Sequence, residues 1–177
     1  MFQRLLNRFK GGERSPARVP EGMRVYTIGD IHGRADLLQN LHRMIRADAS
    51  TTPSGTTKTA IYRGDYVDRG PHSRDVIDLL MDEPPEDFDK VYLKGNQDDV
   101  FLNFLGDESE GPEDMLWIRD EFLDSRADHG KVVVHGHSVS DRPQVRVNRI
   151  GIDTGALQHQ LTCLVLEGAT RRFLSTA

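Results

Sequence analysis

Cysteine is almost absent: Cys163 is alone among 177 residues, so no intramolecular disulfide can form. Its setting, the apolar run LTCLVLE, makes it a small core side chain that suits a reducing cytoplasm. Long apolar runs are missing too. No stretch approaches the ~18 consecutive apolar residues of a membrane-spanning helix, and the N-terminus lacks the apolar core of a secretory signal. A cytoplasmic protein with no transmembrane segment is therefore expected. Nor is there a basic excess, because 28 acidic against 23 basic residues give a net charge of -5. Arg4, Arg8, Lys10, Arg14 and Arg18 against Glu13 and Glu21 put the first 22 residues at +3, which leaves the remainder at -8. That is a poor electrostatic footprint for a phosphate backbone and argues against nucleic acid as partner or substrate.

What is present divides into a tail and a body. Residues 1–22 read as a flexible basic N-terminal tail ended by GGERSPARVPEG. Phe2, Leu5, Leu6 and Phe9 share one helical face of MFQRLLNRFK, a pattern suited to membrane-surface contact, although a solubilising tail is the plainer reading. Residues 23–177 are long enough for one core and are read as a single domain.

The body alternates β-rich runs with helical patterns, the signature of an α/β domain. MRVYTI (23–28) reads as a first strand, and Leu37, Leu38, Leu41, Met44 and Ile45 then recur at helical spacing. TAIYR (59–63) is a second strand, followed by a helix that Ser73 can cap and that carries Val76, Ile77, Leu79 and Leu80. KVYL (90–93) precedes a helical segment with Val100, Phe101, Phe104 and Leu105. An acidic loop, GDESEGPED, leads to a further helix around MLWIRDEFLDS. KVVVH, PQVRVNRI, LTCLVLE and RRFLS end the chain as strands.

Each strand is followed by polar residues in a glycine-containing turn: GDIHG (29–33), GDYVDRG (64–70), GNQD (95–98) and HGH (135–137). In open α/β sheets ligands collect beyond the carboxyl ends of the strands, so these turns can meet at one place. Asp30 and His32, two apart, can point the same way, and the flanking glycines permit close backbone approach. Asp65 is a hard carboxylate able to bridge two cations, Asn96 offers an amide oxygen and His137 an imidazole nitrogen. Oxygen and nitrogen donors without thiolate suit manganese, iron or zinc. Two such ions about 4 Å apart can activate a water and stabilise both attacking and leaving oxygens of a phosphoryl group. Arg69 has the planar fork that matches phosphate oxygens. An isolated DIHG would more often be an ordinary turn, and His135 is read as a satisfied core or supporting histidine. The weight rests on the ordered set.

GDIHG, GDYVDRG, the GN turn and HGHS, in this order over roughly residues 23 to 166, resemble the calcineurin-like metallophosphoesterases. The similarity is to the Ser/Thr protein phosphatase branch with its bacterial members, and to the similar diadenosine tetraphosphatases. The resemblance implies an α/β fold, a β-sandwich flanked by helices, and two divalent metal ions, manganese first and iron or zinc as alternatives. It also implies that Asp30 and His32 bind the first ion, that Asp65 bridges, and that Asn96 and His137 bind the second. Arg69 would hold the substrate phosphate, and Asp68 would orient a catalytic histidine.

Two departures follow. The family's catalytic histidine is replaced by Gln97, with Asp98 at the adjoining glutamate position, and a glutamine has no titrating proton to give a leaving oxygen. Loss of such general acid–base help costs about 10²–10⁴-fold in rate. The middle of the chain is also short. Only 40 residues separate Asn96 from His137, where the family places a longer segment with a further metal-binding histidine and a substrate-binding arginine. His129 belongs to the approach to HGHS, and His135 would need a bend to fill in, so the second metal site is expected to be incomplete and the sandwich truncated. The expected activity is hydrolysis of phosphomonoesters, on a phosphorylated protein or a small phosphoester, slowed by Gln97. The alternatives are an inactive pseudophosphatase serving as a binding or regulatory module and, among enzymes, a dinucleoside polyphosphate hydrolase.

Overall fold

The computed structural model describes residues 16–82, 85, 87–105, 116–117, 120–128 and 130–176. The first 15 residues of the tail, the GDESEGPED loop and His129 lie outside the described residues. The chain runs β1 (Met23–Ile28), α1 (Ala35–Ala49), β2 (Thr57–Tyr62), α2 (Ser73–Asp82), β3 (Asp89–Tyr92), α3 (Asn96–Phe104), α4 (Asp120–Leu123), β4 (Val133–His135), β5 (Gln144–Val145), β6 (Arg149–Gly151), β7 (Thr162–Glu167) and β8 (Thr170–Ser175). Among the described residues no helix is long and apolar enough to cross a membrane.

β1 lies at the centre of a five-stranded sheet of order β3-β2-β1-β7-β8. It pairs in parallel with β2, Tyr26 opposite Ala60, and antiparallel with β7, Tyr26 opposite Val165. A strand buried on both faces needs apolar residues of both parities, and β1 supplies them. Tyr26 and Ile28 face the helices, where Leu38, Leu41 and Ile45 of α1 are fully buried with Val76, Leu79 and Leu80 of α2. The opposite face belongs to a second, three-stranded sheet of order β4-β6-β5. Ile150 and Ile152 pack there against Leu164, Leu166 and Phe173. The alternation of Cys163 and Val165 toward the helices with Leu164 and Leu166 toward the second sheet is what lets β7 serve both layers.

PQVRVNRI, which reads as one strand, folds as two: β5 and β6 pair antiparallel, Val145 opposite Ile150, and Arg146 N–H closes the turn on Arg149 O at 2.8 Å. A register fixed by parallel pairing of β4 with β6 outweighs local β propensity here. Residues 16–22 are tied at two points, Val19 N–H to Gly168 O at 2.9 Å and Thr57 N–H to Gly22 O at 2.8 Å.

Candidate metal centre

Parallel pairing of β1, β2 and β3 brings their carboxyl ends to one edge, and backbone hydrogen bonds stitch the turns that follow. Ile31 N–H and His32 N–H both donate to Asp65 O, at 3.1 and 2.7 Å, and Gly33 N–H donates to Tyr66 O at 2.9 Å. Asp98 fastens the third turn: its Oδ1 accepts from Tyr66 N–H and its Oδ2 from Gly95 N–H, both at 2.9 Å. The fourth turn arrives from the second sheet, where His137 N–H donates to Asp30 Oδ2 at 2.7 Å. These approaches leave no room for side chains. A Cβ at Gly136 would collide with Asp30 Oδ1, and one at Gly64, whose φ is +94°, would run into the Gly95 backbone.

Among the described residues six non-glycine residues have positive φ, and five of them lie in these turns: His32 (49°), Asp65 (48°), Asp68 (68°), Arg69 (65°) and His137 (65°). Each costs of order 1–3 kcal/mol, and such strain concentrates where side chains must be aimed. The result is that Asp30, His32 and Asp65, all buried, each place a ligand atom within 4.8 Å of the others. His32 Nε2 lies 3.8 Å from Asp65 Oδ2, and Asp65 Oδ1 also accepts from Gln97 N–H at 2.9 Å. Beside this group His137 Nδ1 lies 2.7 Å from Asn96 Oδ1.

Electrostatically the group is under tension. Burial, with the neighbouring Asp153 carboxylate adding to it, pushes Asp30 up to about 6. Burial and then Asp30 raise Asp65, and burial raises Asp153. Asp30 Oδ1, His32 Nδ1 and Asn96 Nδ2 are buried without a hydrogen-bond partner, a costly state for polar atoms. Crowded carboxylates, an imidazole with an unpartnered ring nitrogen and the absence of sulfur fit a hard or borderline divalent cation.

Of the other residues singled out by sequence, Gln97 touches this group through its backbone N–H. Asp68 and Arg69 are exposed on the GDYVDRG turn, where Asp68 N–H donates to Ser73 Oγ at 3.1 Å; that hydroxyl anchors the turn. Gln97 is half-buried at the start of α3. His135 turns away: its ring meets Phe122 edge-on at 5.1 Å and covers Gly151, and burial lowers its pKa.

Three residues were not legible as site residues. Asp153 is 2% exposed, and its backbone oxygen accepts from Ser140 N–H at 3.1 Å. Arg63 has a buried, unpartnered Nη1. Trp117 meets the His137 ring edge-on at 6.0 Å. The IDTG turn holding Asp153 follows a strand just as the other four do, and that was the available signal; nothing marked Arg63 or Trp117.

Residues 23–160 match the model of the calcineurin-like phosphoesterase family. The chain belongs to that family, whose members are metal-dependent phosphoester hydrolases. No curated protein matches the chain. Among solved structures it is similar to a protein provisionally assigned as a diadenosine tetraphosphatase, at 19% identity and a TM-score of 0.56, with 91% of this chain and 97% of that one covered. A point mutant of a cold-active protein tyrosine phosphatase is similar at 12% identity and a TM-score of 0.52, with 89% and 83% covered. At these identities the likeness is one of fold.

Proposed function

We propose that the chain is a metal-dependent phosphomonoesterase of the Ser/Thr phosphatase type whose turnover is limited by Gln97. The observation that carries the reading is the buried convergence of Asp30, His32 and Asp65 on strained turns, inside a family of phosphoesterases. Asp30, His32 and Asp65 would hold one divalent cation, and Asp65 with Asn96 and His137 a second, manganese being the first choice for oxygen and nitrogen donors. With such ions bound, a site of this kind supplies a water of lowered pKa and neutralises phosphoryl oxygens. Arg69, exposed on the GDYVDRG turn, would take two phosphate oxygens. The Gln97 amide can orient a phosphoryl oxygen or a water but transfers no proton, so the leaving oxygen must take its proton from solvent. That single feature also favours a second reading, a pseudophosphatase that binds phosphoesters without useful turnover.

Hydrolysis of p-nitrophenyl phosphate by the full chain in excess Mn²⁺ tests the choice, with Asp65→Asn as the control for contaminating phosphatase. Activity above that control is expected. Parity between the two folded proteins would leave the pseudophosphatase reading, and diadenosine tetraphosphate as the next substrate asks whether a phosphoanhydride is preferred.

A further inference from the structure

The side chain of Arg63 sits in an unusual place for a guanidinium. Its backbone continues β2, with Arg63 N–H donating to Ile28 O at 3.2 Å. Tyr62, one residue earlier, faces the helical layer, where its hydroxyl lies 2.9 Å from His42 Nε2. Strand alternation therefore turns Arg63 the other way, into the space between the two sheets beneath the metal centre. There its charge acts on Asp30, Asp153 and Asp65, in falling order, and on His135 of the second sheet. Nη1 is buried and bonds to nothing. A buried donor with no acceptor is costly even on a half-buried side chain, and nearby anions offset that cost.

We propose that Arg63 is a resident counter-cation of the metal centre, a positioning residue that keeps Asp30, Asp65 and Asp153 together before any metal arrives and that opposes metal binding once it does. The inference rests on the metal-centre reading above. Three carboxylates against one guanidinium leave two net negative charges facing the metal. Without Arg63 the same pocket carries three, so it repels itself more strongly when empty and attracts a cation more strongly. A residue that merely filled space would show neither effect, since its loss would destabilise the protein equally with and without metal.

The test is Mn²⁺ titration by calorimetry, with thermal melts in EDTA and in saturating Mn²⁺, on the full-length wild type, Arg63→Met and Arg63→Lys. Arg63→Met is expected to bind Mn²⁺ at least about tenfold more tightly, given the strength of charge interactions at this depth, and to melt lower in EDTA with most of the loss recovered in Mn²⁺. Arg63→Lys should follow the wild type in both. If Arg63→Met folds only with Mn²⁺, that also supports the assignment. Unchanged or weaker Mn²⁺ affinity in Arg63→Met, an equal fall in melting temperature with and without metal, or failure to fold in either condition would overturn it. A wild type that gives no Mn²⁺ binding heat would sink the metal-centre reading itself, and Arg63 with it.

Discussion

The amide of Gln97 and the imidazole of His42 show how much a single side chain sets here. Gln97 is anchored by its own N–H to Asp65 Oδ1, so a histidine in its place would start from the same backbone position beside the acid group. Gln97→His is expected to raise turnover of p-nitrophenyl phosphate by about an order of magnitude or more, the share general acid catalysis ordinarily supplies. Steady-state kinetics in Mn²⁺ would show it, and no gain would move the blame to the short middle of the chain. His42 carries a different consequence. It is 2% exposed and paired with Tyr62, and burial followed by the charge of Arg46 pushes its pKa down to about 4 from 6.5. Between those values the unfolded chain takes up a proton that the native state refuses. Stability should be intact above about pH 6.5, fall as the pH drops toward 4, and level off below that after a loss of about 3 kcal/mol. Urea denaturation of wild type and His42→Phe at pH 7 and pH 5 checks it: the mutant should lose the part of the slope that His42 causes.

At the scale of elements, the parts that sequence announced are those whose apolar pattern matches their burial. α1 is one: Leu37, Leu38, Leu41 and Ile45 recur at helical spacing and all are buried. α3 is the contrary case. Its apolar residues Val100, Phe101, Phe104 and Leu105 mark it as a helix, yet all stay exposed, Phe104 at 84%, and what α3 contributes is its N-terminus, through Asn96, Gln97 N–H and Asp98. Asp98 looked like a mere substitute in GNQD because its two backbone partners, Tyr66 and Gly95, lie in turns that meet only in the folded chain. The same holds at the far end of the sheet, where Asp48 at the close of α1 ties three elements together. Its carboxylate accepts from Tyr26 Oη at 2.7 Å, Arg24 Nη1 at 3.2 Å and Arg172 Nη2 at 2.6 Å. Arg24, 7% exposed, would keep only Glu167 and the backbone carbonyl of residue 48 if the Asp48 carboxylate were removed. Asp48→Ala should therefore cost about 1–3 kcal/mol, the range for leaving hydrogen-bond partners unsatisfied, read as a lower midpoint in guanidinium unfolding without a change in activity per folded molecule.

For the molecule as a whole, two layers facing one sheet and four loops meeting at its edge follow from a legible alternation of strands and helices. The depth of the acid cluster does not follow from it. It depends on the second sheet, which carries His137 over Asp30 and Asp153 in under the site, and neither its register nor its hairpin is encoded in a local pattern. If the cluster holds a cation as proposed, stability will depend on metal in a way that separates site from scaffold. A ligand that binds only the folded state adds about 2.7 kcal/mol at a hundredfold excess over its Kd, and in a domain of this size each kcal/mol raises Tm by roughly 2–4 °C. Saturating Mn²⁺ over EDTA should therefore raise the wild-type Tm by roughly 5–11 °C in a thermal melt. Asp65→Asn, which removes a carboxylate from the centre of the cluster, should lose most of that increment. Leu41→Ala, fully buried against the helical face of the sheet, should lower Tm in both conditions, by the cost of about 2–5 kcal/mol usual for such a cavity, while keeping the increment. If Asp65→Asn keeps the Mn²⁺ increment, Asp65 is not a ligand; if Leu41→Ala loses it as well, the increment reports the fold and not the site.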